Sequence, residues 1–259
     1  MSRTASIIGL MGLYLIIAAC ASAVPPSRIG EYVGPQTGSD SSSSSSLSAL
    51  PPRASRAGLV VVPDTTAPDA APTLPDEALV RLAEVLQQRF DEALPIRIET
   101  IIPGEGIGPG GSADQLSELG KRYGVDYVVL VVVSSTEQEY PMTIFLGWTT
   151  HSQPGLRRDN YSLMEAALVD VKTGEMLLRA EGRGWATLDR PTAPGINQWY
   201  PVIWLRPQDP ARRIWPPSYA GAPNTLRVVA MNEAAKRLVP NFQEAWIQKR
   251  QTEWQTAQR

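Results

Sequence analysis

Cysteine and histidine are almost missing from this sequence: one of each stands among 259 residues. That scarcity excludes most thiol redox chemistry and leaves any transition-metal centre to be built mainly from oxygens, which suit few of those ions. A Ser-His-Asp triad would have to recruit His151, beside Ser152, and no GxSxG nucleophile turn occurs. Neither sign of charge is in surplus. Lys and Arg number 24 against 26 Asp and Glu, for a net charge of −2, and no basic run exceeds two residues. A nucleic-acid partner, which needs a basic surplus to release counterions, is therefore not expected. Wholesale disorder is excluded as well, because 43% of the residues are hydrophobic, as in ordinary globular chains.

A long apolar run is also lacking. Met1–Ala19 opens with Arg3 and continues through Ile7, Ile8, Leu10, Met11, Leu13, Leu15, Ile16 and Ile17. That is signal-peptide length, short of the roughly 20 residues a bilayer-spanning helix requires. It ends in Ile17-Ala18-Ala19-Cys20, which resembles the bacterial lipobox. The resemblance implies cleavage between Ala19 and Cys20 and diacylglycerol on the Cys20 sulfur; the alternative is a plain secretory signal with an unrelated Cys nearby. The chain's only Cys stands where the motif needs it. At roughly 0.8 kcal/mol per buried CH₂, two or three acyl chains hold where one is marginal. Lipidation also leaves no free thiol for an oxidising compartment. The next residue is Ala21, not the Asp that commonly retains Gram-negative lipoproteins at the inner membrane. The expectation is an outer-membrane lipoprotein facing the periplasm, with acyl groups on Cys20 and no cofactor.

Residues 20–57 are rich in Ser, Pro and Gly and include the run Ser41–Ser46. They read as a flexible tether with an r.m.s. reach on the order of 35 Å. One part, Arg28–Val33, is more apolar and could add an edge strand or dock on a partner.

An α/β domain is expected over 58–189. Gly58–Pro63 is a β-branched run, hence a buried strand. Leu79, Leu82, Ala83, Leu86 and Phe90 share one helix face. Ile96, Ile98 and Ile102 suggest a second strand. Ser112 and Gln115 fit a capping box, Leu116, Leu119 and Tyr123 form a helical stripe, and Gly124 supplies its stop. Val125–Val133 is nearly continuous Val and Leu, as in a strand covered on both sides. Tyr161–Val171 and Met176–Trp185 flank a Lys172–Glu175 hairpin turn. Leu226, Val229, Ala230, Ala234 and Leu238 mark a helix in 223–259, interrupted at Pro240. The order β-α-β-α-β-β-β-α implies a mixed parallel and antiparallel sheet with helices packed on it.

Tyr123–Val129 followed by Leu168–Glu175 resembles a signature of several envelope lipoproteins. They include the curli-secretion channel family, the TolB amino-terminal domain and lipoprotein activators of cell-wall synthases. The layout is also similar to the rhombotarget lipoproteins, whose name describes processing rather than activity. The resemblance implies a non-enzymatic adaptor or assembly component with an envelope protein partner, and it allows a homo-oligomer. Ser134–Asn160 departs from the channel family. It reads as irregular rather than as membrane-spanning hairpin strands, which argues against a pore.

Three features carry the remaining functional candidates. Gly106–Gly111 is formally a GxGxxG, yet Pro109 removes a phosphate-binding N–H and Asp126 lies at the wrong end of its strand for a ribose. Glu165, in line with Ala167, Val169 and Val171, calls for a partner, and Arg179 on the next strand is the expected one. The stretch 190–222 is Trp- and Pro-rich and reads as a long loop that cannot continue a sheet. It is either a lid on the core or a docking surface made of Trp199, Tyr200, Trp204, Arg212, Arg213 and Trp215; a membrane-interface loop fits the same composition. The alternative to a protein-docking role is a small-ligand or glycan module, with the Gly loop and the Trp residues lining one cleft.

Overall fold

The apolar run from Val125 to Val133 becomes the spine of the protein because each of its faces has helices to cover it. The computed structural model describes residues 24–34, 49–51, 55–67, 69–145, 152–192, 200–205 and 212–258. In chain order the elements are α1 (Ile29–Val33), β1 (Ser55–Asp64), α2 (Asp76–Ala93), β2 (Ile96–Ile102), α3 (Ala113–Tyr123) and β3 (Tyr127–Phe145). There follow β4 (Ser152–Asp170), β5 (Met176–Pro191), β6 (Val202–Trp204), β7 (Arg213–Ile214) and α4 (Ala222–Ala257). The strands form one sheet in the order β2-β1-β3-β4-β5-β6-β7. β1 runs parallel to β2 and β3, and every other pairing is antiparallel. The mixed α/β sheet expected from the sequence is the architecture found.

Alternation along β3 sets three layers. Val129, Val131 and Val133 pack under α2 and α4, while Val128, Leu130 and Val132 pack under α1 and α3. Leu82, Ala83, Leu86 and Phe90 are the buried stripe of α2. Gly124 takes the left-handed conformation at the end of α3, with φ +67°, and Gly174 does so in the β4–β5 turn at φ +70°. Two other glycines serve a close approach. A Cβ on Gly184 would stand 2.0 Å from the Ala230 carbonyl oxygen, and one on Gly182 2.3 Å from that of Ala234. α4 therefore lies with its backbone directly on β5.

Several expectations are corrected. The break at Pro240 does not occur: α4 runs through it for 36 residues. Proline forfeits one backbone hydrogen bond, but Leu238, Val239, Phe242 and Trp246 are buried on either side of it while Pro240 itself faces water. The described residues of Ser134–Asn160 are not irregular. β3 and β4 pair in unbroken register from Tyr127↔Asp170 to Phe145↔Ser152. β1 reaches along β3 only to Ser134, so Pro141 sits where an edge strand tolerates a missing N–H. The stretch after Pro191 does continue the sheet, through β6 and β7. Ser112 caps α3 by position, yet its side chain makes no capping bond.

The tether reading fails at both ends of the segment. Residues 24–34 carry α1, with Ile29, Tyr32 and Val33 buried against the α3 side of the sheet. Leu50 is buried on the other face, with α2 and α4.

Candidate functional site

At the β6–β7 edge the chain gathers four of its aromatic residues within three short segments. β6 joins the sheet through Leu188↔Ile203 and Asp189↔Val202, and β7 adds Ile203↔Ile214 and Trp204↔Arg213. Trp204 is buried, and its Nε1–H donates to Asp189 Oδ2 at 3.0 Å. It belongs to the fold rather than to a docking surface, which corrects its candidacy. Tyr200, just before β6, lies 6.5 Å from Trp215 and 6.3 Å from Tyr219, ring centroid to centroid. These three are 41%, 48% and 38% exposed. The two tyrosine hydroxyls are held from behind: Tyr200 Oη donates to the Pro216 carbonyl at 3.0 Å and Tyr219 Oη to that of Pro191 at 2.8 Å. The Arg213 guanidinium lies 5.9 Å from the Trp215 ring centre, a cation–π arrangement. Arg212 is exposed alongside.

The structure thus brings together Tyr200, Arg213 and Trp215, with Arg212 beside them, and adds Tyr219. The sequence signal for Tyr219 is its membership of the same aromatic, Pro-rich stretch. Cys20, Ala19, Trp199 and His151 lie outside the described residues. The aromatic cluster offers rigid apolar area with a cationic rim.

The Gly loop serves the protein's own N-terminal segment. Gly106 and Gly110 adopt φ of +81° and +85°. The Gly110 N–H donates to the Glu31 carbonyl at 2.8 Å, and a Cβ on Gly111 would stand 3.0 Å from the Tyr32 carbonyl oxygen. An open groove of about 380 Å³ beside the loop is lined by Glu105, Asp114 and Glu118 with Arg122, a charge balance that repels phosphate. β2, which leads into this loop, and β6–β7 are opposite edges of the sheet. The Gly loop and the Trp residues therefore do not line one cleft.

α1 is clasped by two buried carboxylates. Glu165 accepts from Ser27 Oγ at 2.5 Å, from Arg28 N at 2.6 Å and from Ile29 N at 3.1 Å. Its expected partner Arg179 stands opposite Ala167, whereas Glu165 stands opposite Glu181, so the pairing call is corrected: the first backbone N–H groups of a helix replace a cation. Arg28 Nε donates to Asp64 Oδ2 at 2.9 Å. Burial alone would push the Asp64 carboxyl up, but hydrogen bonds from Thr66 and Arg28 outweigh it and hold it below the usual carboxylate range. Burial, with Asp64 nearby, pushes the Tyr32 hydroxyl up to about 12.

Among the described residues, no group of three or more His, Cys, Asp and Glu could hold a metal ion, and no helix is long and apolar enough to cross a membrane. No protein-family model matches the chain, and no curated protein matches it. Solved structures with a similar course of chain exist. A neuraminyllactose-binding hemagglutinin homolog from Helicobacter pylori is 9% identical, with 71% of this chain and 86% of that one covered and a TM-score of 0.35. The hypothetical protein CT253 from Chlamydia trachomatis is 13% identical over 74% and 98%, with a TM-score of 0.34. Lipoprotein GNA1162 from Neisseria meningitidis is 16% identical over 51% and 82%, with a TM-score of 0.28. Likeness at this level does not bear on what this chain binds or does.

Proposed function

We propose that this chain is a non-enzymatic lipoprotein of the bacterial envelope, held at the outer membrane by acyl chains on Cys20 and facing the periplasm. Its α/β domain docks an envelope protein on the Tyr200–Trp215–Tyr219 surface. The observation that carries the docking role is the packing of three half-exposed rings, the two tyrosine hydroxyls pinned from behind, at the open edge of the sheet. Large aromatic side chains that lose little entropy on binding are what interface centres are made of. Arg212 and Arg213 favour an acidic rim on the partner. The anchor reading rests on the lone Cys at the end of Ile17-Ala18-Ala19-Cys20.

Removing 191–222 outright is the wrong test. β6, β7 and the buried Ile203, Trp204 and Ala222 would go with it. Crosslinking in intact cells should instead be compared between the parent chain and the triple variant Tyr200→Ala, Trp215→Ala, Tyr219→Ala. The expected result is an envelope-protein adduct on the parent alone. An adduct of equal yield on the folded variant refutes the docking surface, and an adduct with a second copy of the chain redirects it to self-association. The anchor has its own test: a fatty-acid analogue labels the parent and leaves Cys20→Ala unlabelled.

A further inference from the structure

We infer that the domain is held within about 25 Å of the lipid surface its anchor enters, with the α1–α3 side of the sheet nearest the membrane and α4 turned away. The inference rests on the lipid-anchor reading and goes beyond it, because it states where the domain stands. The argument is the length of chain between Cys20 and the first residue clasped by the fold. Seven peptide links separate Cys20 from Ser27, whose hydroxyl donates to the buried Glu165. Fully extended, they span at most about 25 Å. A free spacer from Cys20 to Ser55 would have a contour on the order of 120 Å.

The Ser-rich run cannot add to that reach, because the chain is fastened on both sides of it. Upstream, α1 is held by Glu165, by Arg28 on Asp64 and by Glu31 O accepting from Gly110 N–H, all on the α3 side. Downstream, Leu50 N–H donates to Glu253 Oε1 at 2.8 Å and Arg250 donates to the Pro51 carbonyl, both on the α4 side. Ser41–Ser46 therefore links two fixed points on opposite faces of the sheet. Its length sets the crossing from one face to the other and leaves the distance to the membrane unchanged. A partner that meets this domain must then itself come within a domain's thickness of the bilayer.

The test lengthens the chain at two places. The same Gly/Ser insert of about 20 residues, which adds roughly 25 Å of r.m.s. reach, goes after Ala23 in one variant and within Ser41–Ser46 in the other. Each lipidated chain carries Lys121→Cys on the exposed face of α3, labelled with a donor dye, in phosphatidylethanolamine/phosphatidylglycerol vesicles with a headgroup acceptor. Energy transfer should fall by about half or more with the upstream insert and stay at the parent value with the Ser-run insert. A Lys236→Cys label on α4 should transfer less than Lys121→Cys in the parent. Equal losses from both inserts, or loss from the Ser-run insert alone, overturn the inference and restore the tether. If the parent fails to float with the vesicles, the anchor itself is wrong, an outcome the transfer measurement does not mimic. Trypsin gives a readout free of lipid: slow cleavage after Arg28 in the parent, and rapid cleavage in the folded Ile29→Ser, Tyr32→Ser variant, show the clasp. Rapid cleavage in the parent refutes it.

Discussion

The inner and outer halves of the β3–β4 hairpin are held in different ways. From Tyr127 to Val133, β3 has β1 on one side and β4 on the other, and its side chains from Val128 on are apolar and buried on both faces. From Ser135 outward β1 is gone, and ion pairs lace the strands. On one face Asp159 accepts from Tyr140 Oη at 2.9 Å and Thr187 Oγ1 at 2.6 Å, and Arg157 clamps Asp189 at 2.6 and 2.8 Å. On the other, Glu137 accepts from Arg227 at 2.7 and 3.0 Å, and Glu139 from Arg158 at 2.8 Å. Apolar burial stabilises without fixing who pairs with whom. Buried charges contribute little net stability, but they penalise a slipped register, since a one-residue shift sends every side chain to the other face. The inner half makes the protein stable, and the outer half makes it one structure.

The largest break falls where α4 lies on β5 and supports both halves. A side chain at Gly184 meets helix backbone, not a side-chain tip that could swing away. Gly184→Val should leave no cooperatively folded protein, read by loss of the thermal transition in circular dichroism. A folded variant with a normal transition would mean that α4 can lift away from β5 at little cost.

The inner half was legible in the sequence because its signals are local. Val125–Val133, the Leu82-to-Phe90 stripe and Gly124 each announce their role within one or two turns. The outer half was not, because its bonds join distant positions. Glu137 and Arg227 are 90 residues apart, and Arg157 and Asp189 are 32 apart. Composition marked Trp204 and Trp215 alike as aromatic residues amid prolines. Only the pairing of β6 with β5 sends the Trp204 indole to Asp189 and leaves Trp215 at the surface. The same holds for α1: the apolar Arg28–Val33 stood out from its Ser-rich surroundings, but nothing nearby in sequence announced Glu165 as its anchor.

A sharper comparison substitutes one residue from each half. Leu130→Ala in the inner half should cost about 3 kcal/mol through lost burial and a residual cavity. Arg227→Met in the outer half should cost about 2 kcal/mol, because Glu137 stays half-buried with weaker partners, Asn160 at 3.1 Å and Arg158 at 3.7 Å. The discriminating arm is the double variant Glu137→Met, Arg227→Met. With both charges gone, urea unfolding should return to within about 1 kcal/mol of the parent. A double variant as unstable as the two singles summed would show that the ion pairs carry stability after all.

The smallest effect is the one that bears on function. Trp215 is half-exposed and touches Tyr200 and Arg213, so Trp215→Ala removes little buried area and should shift unfolding by no more than about 0.5 kcal/mol. Trp204→Ala, on the neighbouring strand β6, removes a buried ring and leaves the Asp189 carboxylate with one donor fewer, and should cost about 3 kcal/mol. The contrast decides whether the three rings hold the fold or stand free for recognition. If Trp215→Ala proves as destabilising as Trp204→Ala, the cluster is a structural lid. If it is neutral, the rings at that edge stand free for recognition.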